Sequence, residues 1–452
     1  MRKQSKKEFR KTVKILIVIL LFCILGSSCQ NTANTSTPDS SAVKLTIWIG
    51  NKDSYIGPYE IKKSPENWYI SKAFKRFEAQ NPGIKVLLTV LPDQGEAHNT
   101  FKVAGLAQNA PDIANLWSGQ YIFSLKDVIM PLDGKIPNED YENLLGWETV
   151  RENFKKDGKI LGYPASDIQL GCFIYNKKII AEAGLDFENN PPRNRLEFDD
   201  ALGKIKEKGY TPIASDESFP YFLAYIGNYW WVQNTGIETI MGNCTGKTKF
   251  IDDQGFLETL AYYNDLYKKG YINQDAAISA DSWNQFLQGK AAMIPNISSV
   301  VNDAVNFMGE DMVGVIRPLD MGNIKYSSNT TIGGPGQCLV VSKSSQNADL
   351  AIKLISFLSS KAEMLEFDKV LSKIPLRKDI TLEDLGWSTD SISAKLFGWG
   401  KNYTFFVDNS LTTAVFEDWS INAALVLVGK ITPEEMAAVL DNKVKSTLGT
   451  SK

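Results

Sequence analysis

The chain has 452 residues, a formal net charge of −3 and a single histidine among 52 acidic and 49 basic side chains. A chain of this length is too long for one hydrophobic core, so two domains or lobes are expected. An acidic protein neutralises few phosphates, so nucleic-acid binding is not expected. One histidine excludes zinc sites that need several, and no metal or other cofactor is expected. A Ser-His-Asp triad is possible only around His98.

The first 28 residues have the layout of a secretory signal. Seven basic residues and one acidic residue precede an uninterrupted apolar run at 15–25, and small residues follow at 26–28. These 11 apolar residues fall short of the roughly 20 that a membrane-spanning helix needs. Removal of residues 1–28 would leave a chain with a net charge of −9.

A cysteine, Cys29, stands between this segment and a polar stretch of Asn, Thr, Ser and Pro. The arrangement resembles a bacterial lipoprotein signal, which implies that Cys29 is lipidated and becomes the new N-terminus. Residues 29–42 would then be the lipidated cysteine and a flexible tether, and a diacyl anchor would hold the protein on the outer side of the cell membrane. Gly26 departs from the pattern, because such signals usually carry leucine three residues before the cysteine, whereas here Leu25 stands four before it. Ordinary cleavage near Ser28, with an unanchored product, is the alternative.

The remaining cysteines and the histidine are not expected to form a chemical site. Cys172, Cys244 and Cys338 cannot all pair with one another, so the fold need not depend on disulfides. His98 lies in a polar stretch that is predicted to be helical, and a solvated position on the surface is expected.

Periodicity predicts an α/β fold. In "VKLTIWI" apolar and polar residues alternate from residue 43 onward, which indicates a strand. Apolar residues at positions 70, 73, 74 and 77 predict a helix that ends at "NPG", and a second strand is predicted at 84–91. Strands and helices continue to alternate. Thr432, Pro433 and Glu435 predict the capped start of a last helix that runs through Leu440.

Five segments, in this order, resemble one family: "FKRFEAQNPGIKV", "APDIANLW", "GYPASDIQLGCFIYNKKIIAEAGLD", "FLQGKAAMI" and "ADLAIKLISFLSS". They are similar to the extracellular solute-binding proteins of carbohydrate ABC importers, the group that includes maltose-binding protein (solute-binding family 1). The resemblance implies a two-lobed, type II periplasmic-binding-protein-like fold with a ligand cleft between the lobes and no catalysis. A monomer that delivers its ligand to the transmembrane permease subunits is implied as well.

Three crossings between the lobes are carried over by the same resemblance, near 159–164, 331–334 and 374–376. The N-terminal lobe would comprise 43–160 and 334–374, and the C-terminal lobe 161–332 and 375–452. A ligand that touches both lobes stabilises the closed form by its differential affinity for closed over open.

The aromatic content favours a sugar as the ligand. A Trp or Tyr ring can cover the apolar face of a pyranose while carboxylates and amides bind its hydroxyl rim. Trp117 is the first candidate, because it ends a predicted strand beside a loop, where open α/β sheets bind ligands. A tryptophan buried for packing is the alternative at this position. Asp112 in the same stretch is expected to make structural hydrogen bonds.

The second candidate segment is "FPYFLAYIGNYWW". It resembles the family's PYF segment, whose tyrosine lies against a sugar in maltose-binding members, and the match carries Tyr221 across. Asn228 and Trp230 would line the same wall. Because adjacent residues point to different sides of a regular element, at least one of Trp230 and Trp231 is expected in the core.

Further candidates rest on position alone. Many relatives have a stacking tryptophan after the "AAM" strand; here Asn296 stands near that place, and Trp283 is the candidate replacement ring. The other candidate ligand contacts are Trp48, Asn51, Tyr163, Asp167 and Trp399. The segment 57–71, with Tyr59 and Trp68, is interpreted as an insertion, either a lid or a solvated loop. It and the number of rings favour an oligosaccharide over a monosaccharide.

Other functions stay open at this point. A secreted glycoside hydrolase would need two carboxylates at about 5 to 9.5 Å, which a sequence cannot place. A polyamine carrier would use carboxylates around an aromatic box. A binding protein that serves a sensor would have the same site residues.

Overall fold

The structure is a computed structural model that describes residues 42–50, 52–92, 94–216, 219–320 and 330–449. The expected signal at 1–28, the expected lipidation site Cys29 and the candidate Asn51 lie outside the described residues. From Val43 onward the chain forms one compact unit.

Strands, numbered in chain order, form two sheets. They are β1 (Val43–Ile49), β2 (Ile84–Val90), β3 (Ile113–Trp117), β4 (Tyr163–Ala165), β5 (Gln169–Asn176), β6 (Thr211–Ile213), β7 (Ala291–Ile297), β8 (Val313–Ile316), β9 (Ile332–Gly334), β10 (Gln337–Val341) and β11 (Thr404–Phe405). The first sheet has the order β2-β1-β3-β10-β4; β1 is parallel to β2 and β3, and β10 is antiparallel to β3 and β4. The second has the order β11-β9-β5-β7-β6, and β8 pairs with β5.

Helices pack around both sheets. They are α1 (Lys52–Tyr55), α2 (Gly57–Glu60), α3 (Tyr69–Gln80), α4 (Gln94–Leu106), α5 (Gln120–Phe123), α6 (Asn138–Asn143), α7 (Lys177–Glu182), α8 (Arg195–Glu207), α9 (Asn228–Thr235), α10 (Ile237–Cys244), α11 (Gln254–Lys268), α12 (Ser282–Leu287), α13 (Val301–Met308), α14 (Ala348–Leu358), α15 (Lys361–Leu371), α16 (Leu382–Leu385), α17 (Ile392–Trp399), α18 (Thr413–Leu427) and α19 (Pro433–Gly449). Short 3-10 turns lie at Pro65–Asn67, Trp147–Val150, Glu152–Phe154, Phe250–Asp252, Ser298–Val300, Glu310–Met312 and Asp408–Ser410, and a π-helical turn lies at Leu223–Gly227.

The predicted elements at both ends of the described chain are confirmed. Every second residue of β1 from Leu45 onward is buried, as the alternation requires. Helix α3 buries the apolar positions 70, 73, 74 and 77 and ends before Gly83, which has a left-handed φ of 84°. At α19, Thr432 N–H donates to the Glu435 carboxylate (2.8 Å) and Glu435 N–H donates to Thr432 Oγ1 (3.1 Å). This last helix is longer than predicted and ends at Gly449.

The chain passes between the sheets later than the resemblance implied. Strand β4 still pairs with β10 of the first sheet and β5 begins at Gln169, so the first passage lies at 166–168 instead of 159–164. The second lies at 335–336, after β9 and before β10, instead of 331–334.

The third passage shows the largest difference. Helix α16 packs beside α15 of the first lobe, where Lys361 Nζ lies 3.2 Å from the Asp384 carboxylate. Helix α17 contacts the second sheet, because the ammonium of Lys395 donates to a β8 carbonyl (2.9 Å). The passage therefore falls at 386–391, and not at the expected 374–376.

The segment interpreted as an insertion packs on the first lobe. The rings of Tyr55 and Tyr69 lie 5.7 and 5.4 Å from that of Phe367 in α15. The buried Glu60 carboxylate accepts a hydrogen bond from Tyr69 N–H (3.0 Å). Trp68 is half-buried and its indole donates to the carbonyl of Lys63 (3.2 Å).

The cysteines follow the prediction that disulfides are not required. Cys172, Cys244 and Cys338 are buried and unpaired. Burial raises the pKa of the thiols of Cys172 and Cys244 to about 12, so both are protonated and unreactive at neutral pH.

Asp112 joins three parts of the first sheet. Its carboxylate accepts hydrogen bonds from both N–H and Oγ1 of Thr46 in β1 (2.8 Å each). It also accepts from Ser345 Oγ (2.6 Å) and Asn347 Nδ2 (3.3 Å), which follow β10. The expectation of a structural role is confirmed.

Asp112→Ala should leave these donors without their acceptor. Because each buried donor that loses its partner costs about 1 to 3 kcal/mol, we expect the free energy of unfolding to fall by about 2 kcal/mol or more. Urea denaturation measures this. Asp133→Ala is a control, because that carboxylate accepts a single, longer hydrogen bond from Ile160 N–H (3.2 Å). Equal losses in both variants would contradict the role given to Asp112.

Candidate functional site

Aromatic side chains from both lobes meet at one place. We call Trp117, Tyr121, Phe219, Tyr221, Tyr225 and Phe416 the interlobe ring cluster. Trp117 ends β3 of the first sheet and Tyr121 lies in α5, which follows it; their ring centroids are 4.9 Å apart. Phe416 of the second lobe lies 6.3 Å from Tyr121 and 6.1 Å from Phe219. Except for the buried Tyr121, each ring keeps part of its surface exposed. A row of partly exposed rings is a surface suited to a flat apolar ligand face.

The row continues into the second lobe through Tyr221 and Tyr225. Phe219 lies 5.0 Å from Tyr221 and 6.0 Å from Tyr225, between ring centroids. Tyr225 belongs to the π-helical turn Leu223–Gly227, which precedes α9. Such turns are frequent at functional sites because they displace one side chain from the regular helical register. Gly171 allows the close approach, since a Cβ there would lie 2.5 Å from the Tyr225 carbonyl oxygen.

A glycine lets the lobes approach beside the rings. Gly119, directly before α5, has a φ of 74°, and a Cβ on it would lie 2.4 Å from the Asn409 carbonyl oxygen of the second lobe. A side chain at position 119 would therefore be strained and would separate the two backbones. The neighbouring Ser118 N–H donates to the carbonyl of Gly336, in the second passage between the sheets (3.0 Å).

The expected surface position of His98 is wrong. Its side chain is 7% exposed, and its ring lies 5.3 Å from that of Trp117 and 4.9 Å from that of Tyr121. Its Nε2 accepts a hydrogen bond from the backbone N–H of Trp117 (2.9 Å). Burial lowers the pKa of His98 to about 4, so the ring is neutral at pH 7 and keeps its acceptor. His98 thus positions Trp117.

A carboxyl group lies beside the ring cluster. Asp408 begins the 3-10 turn Asp408–Ser410 and is 6% exposed. Burial raises the pKa of its carboxyl to about 7. It lies near Tyr121 and Tyr225: after burial, its charge is the next cause that raises the pKa of both phenols.

A second buried carboxyl group, that of Asp216, lies near Tyr221 of the cluster. Asp216 accepts a hydrogen bond from Ser282 Oγ at the start of α12. After burial, its charge raises the pKa of Tyr221. Trp283, the next residue of α12, is half-buried, with its ring 6.2 Å from that of Phe286. The candidate Trp283 thus follows the residue that donates to Asp216, and no contact of its ring with the cluster is seen among the described residues.

Of the candidates from sequence, Trp117 and Tyr221 are brought together in the ring cluster. Asn296 is half-buried in β7, opposite Cys172 of β5, and its Oδ1 accepts the next backbone N–H (2.9 Å). Trp48 is half-buried in β1 and packs against the hydrophobic core that contains Leu45 and Ile47 of the same strand. No contact of Asn296 or Trp48 with the cluster is seen among the described residues.

Four candidates, Trp230, Tyr163, Asn228 and Asp167, have little or no exposed surface. Trp230 is 0% exposed, and its indole donates to the carbonyl of Leu319 (2.8 Å), so its ring is part of the core. Tyr163 and Asn228 are buried as well. The expectation that at least one of Trp230 and Trp231 is core is confirmed, and in this structure both are.

Asp167 is buried in the first passage between the sheets. Its carboxylate accepts a hydrogen bond from Ser166 Oγ (2.6 Å) and lies 3.9 Å from Lys373 Nζ. Ser166 has a left-handed φ of 69°. These contacts fix the path of the chain between the lobes.

Trp399 lies between cations. The guanidinium of Arg317 and the ammonium of Lys395 are 5.5 and 5.7 Å from its ring. These cations cover surface that a sugar would need, whereas the ring cluster has no cation–π contact among the described residues.

Sequence reasoning missed Tyr121, Tyr225, Phe416 and Asp408. The position of Tyr121, four residues after Trp117 and past a Ser-Gly turn, was a usable signal. Phe416 and Asp408 gave none, because they meet Tyr121 only through the folding of segments nearly 300 residues apart.

In the described parts of the chain, no three His, Cys, Asp or Glu side chains converge as a metal site requires. The same residues include no helix of the length and apolarity needed to cross a bilayer.

Two lobes with rings meeting between them define the class of a two-lobed binding protein. Among solved structures, a chitin oligosaccharide binding protein matches with a TM-score of 0.75 and 22% identity, over 90% of this chain and 99% of that one. The GacH receptor of Streptomyces glaucescens, determined unliganded and with acarbose, matches with a TM-score of 0.71 and 21% identity, over 91% and 100%. These similarities confirm the two-lobed fold.

The chain belongs to the bacterial extracellular solute-binding proteins, whose family model matches residues 62–365. The Multiple sugar-binding protein of Streptococcus mutans is 23% identical over 79% of this chain and 80% of its own length. Lipoprotein LipO of Bacillus subtilis is 24% identical over 74% of this chain and 67% of its own. Membership in this family implies a location outside the cytoplasm.

The neutral state of His98 can be measured directly, because it is the only histidine. We expect its ring resonances in NMR to titrate at about pH 4. In the unfolded chain the imidazole binds a proton near its usual pKa of 6.5, so stability falls as pH drops from about 6.5 to 4. His98→Gln should not show the part of this fall in stability that comes from protonation of the imidazole. A midpoint near 6.5 would contradict the buried, hydrogen-bonded position.

Proposed function

We propose that the protein is the membrane-anchored substrate-binding component of an ABC importer. It captures an oligosaccharide between its lobes and delivers it to the permease, without catalysis. The observation that supports this most is the interlobe ring cluster, because rings contributed by both lobes let a ligand gain contacts in the closed form that the open form lacks.

The ring cluster fits sugars in size and chemistry. Partly exposed rings from Trp117 to Tyr221 offer several stacking surfaces in a row, and carboxyl groups flank the row at Asp408 and Asp216. Stacking on the apolar face of a pyranose and hydrogen bonds to its rim then occur together. We assign Trp117, Tyr121, Phe219, Tyr221 and Phe416 to the wall of the site. Trp283 is retained as a further ring.

The names of similar proteins support this ligand class. They include chitin oligosaccharide, multiple sugar and raffinose binders. Because the site has several successive rings, we favour chains of two or more sugar units. Membrane anchoring through Cys29 is supported by the signal-like N-terminus and by the similarity to a lipoprotein.

Ligand screening tests the proposal on residues 30–452. We expect maltotriose, chitotriose, xylotriose or raffinose to raise the melting temperature, since a ligand at 100 times its Kd adds about 2.7 kcal/mol of stability. Trp117→Ala and Phe416→Ala should each weaken binding by about tenfold or more, as the loss of a buried aromatic contact implies. Calorimetry measures the affinities.

Trp68→Ala is the matched control, because Trp68 is equally half-buried but lies in the segment 57–71 on the first lobe. Its affinity should equal that of the wild type. If spermidine alone raises the melting temperature, a polyamine carrier is the better proposal. If aryl-glycosides are turned over, a glycoside hydrolase is the better proposal.

The anchor is tested in the full chain by metabolic labelling with an alkynyl fatty acid. We expect wild type and Cys23→Ser to be labelled and Cys29→Ser to lose the label, because a thioether-linked diacylglyceryl group needs the Cys29 sulfur. Cys23→Ser is the control for a cysteine in the apolar run. Label retained in Cys29→Ser, or absent from wild type, would show that the protein is not anchored there.

A further inference from the structure

Asp408 lies where the two lobes face each other. The turn that it begins contacts α5, the helix that contains Tyr121, and, after burial, the charge of its carboxyl raises the pKa of Tyr121 and of Tyr225 of the second lobe. The carbonyl of its neighbour Asn409 faces Gly119, where the backbones of the two lobes nearly touch. A ligand held by the ring cluster therefore lies next to this carboxyl group.

The hydrogen bonding of Asp408 is incomplete. Its Oδ1 is buried and has no hydrogen-bond partner among the described residues. A buried acceptor without a donor lowers stability, and a charged one lowers it further. Asp368 of α15, away from the ring cluster, also lacks a hydrogen-bond partner for its carboxyl oxygens among the described residues, whereas the equally buried Asp253 accepts from Trp231 Nε1, Thr235 Oγ1, Asn243 Nδ2 and the Phe256 N–H.

This contrast shows that Asp408 does not contribute to the fold as Asp253 does. Groups that destabilise a fold are typical of binding sites, where the ligand completes their hydrogen bonds. Among the described residues no cation contributes to the pKa of Asp408: burial raises it, and the backbone N–H groups of Asp408 and Asn409 are the groups that lower it.

We propose that Asp408 is a specificity-determining residue of the sugar site, whose Oδ1 accepts a hydrogen bond from a ligand hydroxyl held between Tyr121 and Tyr225. The residue selects ligands with a donor at this point, because an apolar or O-alkylated group there would leave the carboxylate buried and unpaired. The inference rests on the proposed sugar-binding function.

The hydroxyl completes a charge-assisted hydrogen bond only while the carboxyl is ionised. Affinity should therefore decrease as pH falls from about 8 to about 5.5, through the raised pKa of Asp408. His98 does not titrate in this window, because its pKa is lowered to about 4.

The test combines affinity and stability for wild type, Asp408→Asn, Asp408→Leu and Asp253→Asn, with whichever of maltotriose, chitotriose, xylotriose and raffinose binds wild type. We expect Asp408→Leu to bind at least about tenfold more weakly, since a hydrogen bond to a charged group is worth about 1.5 to 3 kcal/mol. The affinity of Asp408→Asn should lie between those of wild type and Asp408→Leu, and it should no longer depend on pH.

Without ligand, both Asp408 variants should melt at or above the wild-type temperature, whereas Asp253→Asn should melt lower and keep its affinity. The proposal is overturned if the Asp408 variants melt lower, as Asp253→Asn does, or if they bind like wild type. If none of the sugars binds wild type itself, the proposed function fails, and this specificity role fails with it.

Discussion

The site depends on how closely two separately built sheets can approach. Each lobe forms its own sheet, and the rings of one reach those of the other beside a point where the backbones nearly touch, at Gly119 and Asn409. The absence of a Cβ at position 119 sets this distance. The passage at 335–336 lies beside it, since Ser118 N–H donates to the carbonyl of Gly336 (3.0 Å), so the ring cluster and one passage between the lobes occupy the same part of the molecule. A ligand placed here acts directly on the lobe equilibrium.

The buried polar groups near this approach divide into two kinds. Asp167 has partners in Ser166 and Lys373, and it holds the path of the chain. His98 accepts a hydrogen bond at Nε2 from the backbone N–H of Trp117 and fixes that ring, while its buried Nδ1 has no hydrogen-bond partner among the described residues. Asp408 likewise keeps a buried oxygen without a partner among the described residues. A binding protein needs a well-bonded scaffold, and it also needs polar groups at the lobe interface whose hydrogen bonds the ligand can complete. The ligand then contributes free energy to closure.

The sequence predicts local elements well and contacts between distant elements poorly. β1, α3 and the capped start of α19 follow from periodicity and end signals, which depend on neighbouring residues. Trp117 and Tyr221 could be proposed, the first from its position after a strand and the second from a family motif. Phe416 sits on an ordinary helix face, and its role appears only when α18 lies against Tyr121. The burial of Trp230 has the same origin: aromatic residues serve cores and binding sites equally well, and only the tertiary contacts distinguish them.

The burial of every cysteine of the described chain has a practical consequence. Since Cys172, Cys244 and Cys338 are enclosed and their thiols hold their protons, a maleimide dye finds no native target on the folded lobes. A cysteine introduced at an exposed position on each lobe, such as Leu106 and Leu196, would accept a donor and an acceptor fluorophore selectively. Opening and closing could then be followed in single molecules without altering the protein's own thiols.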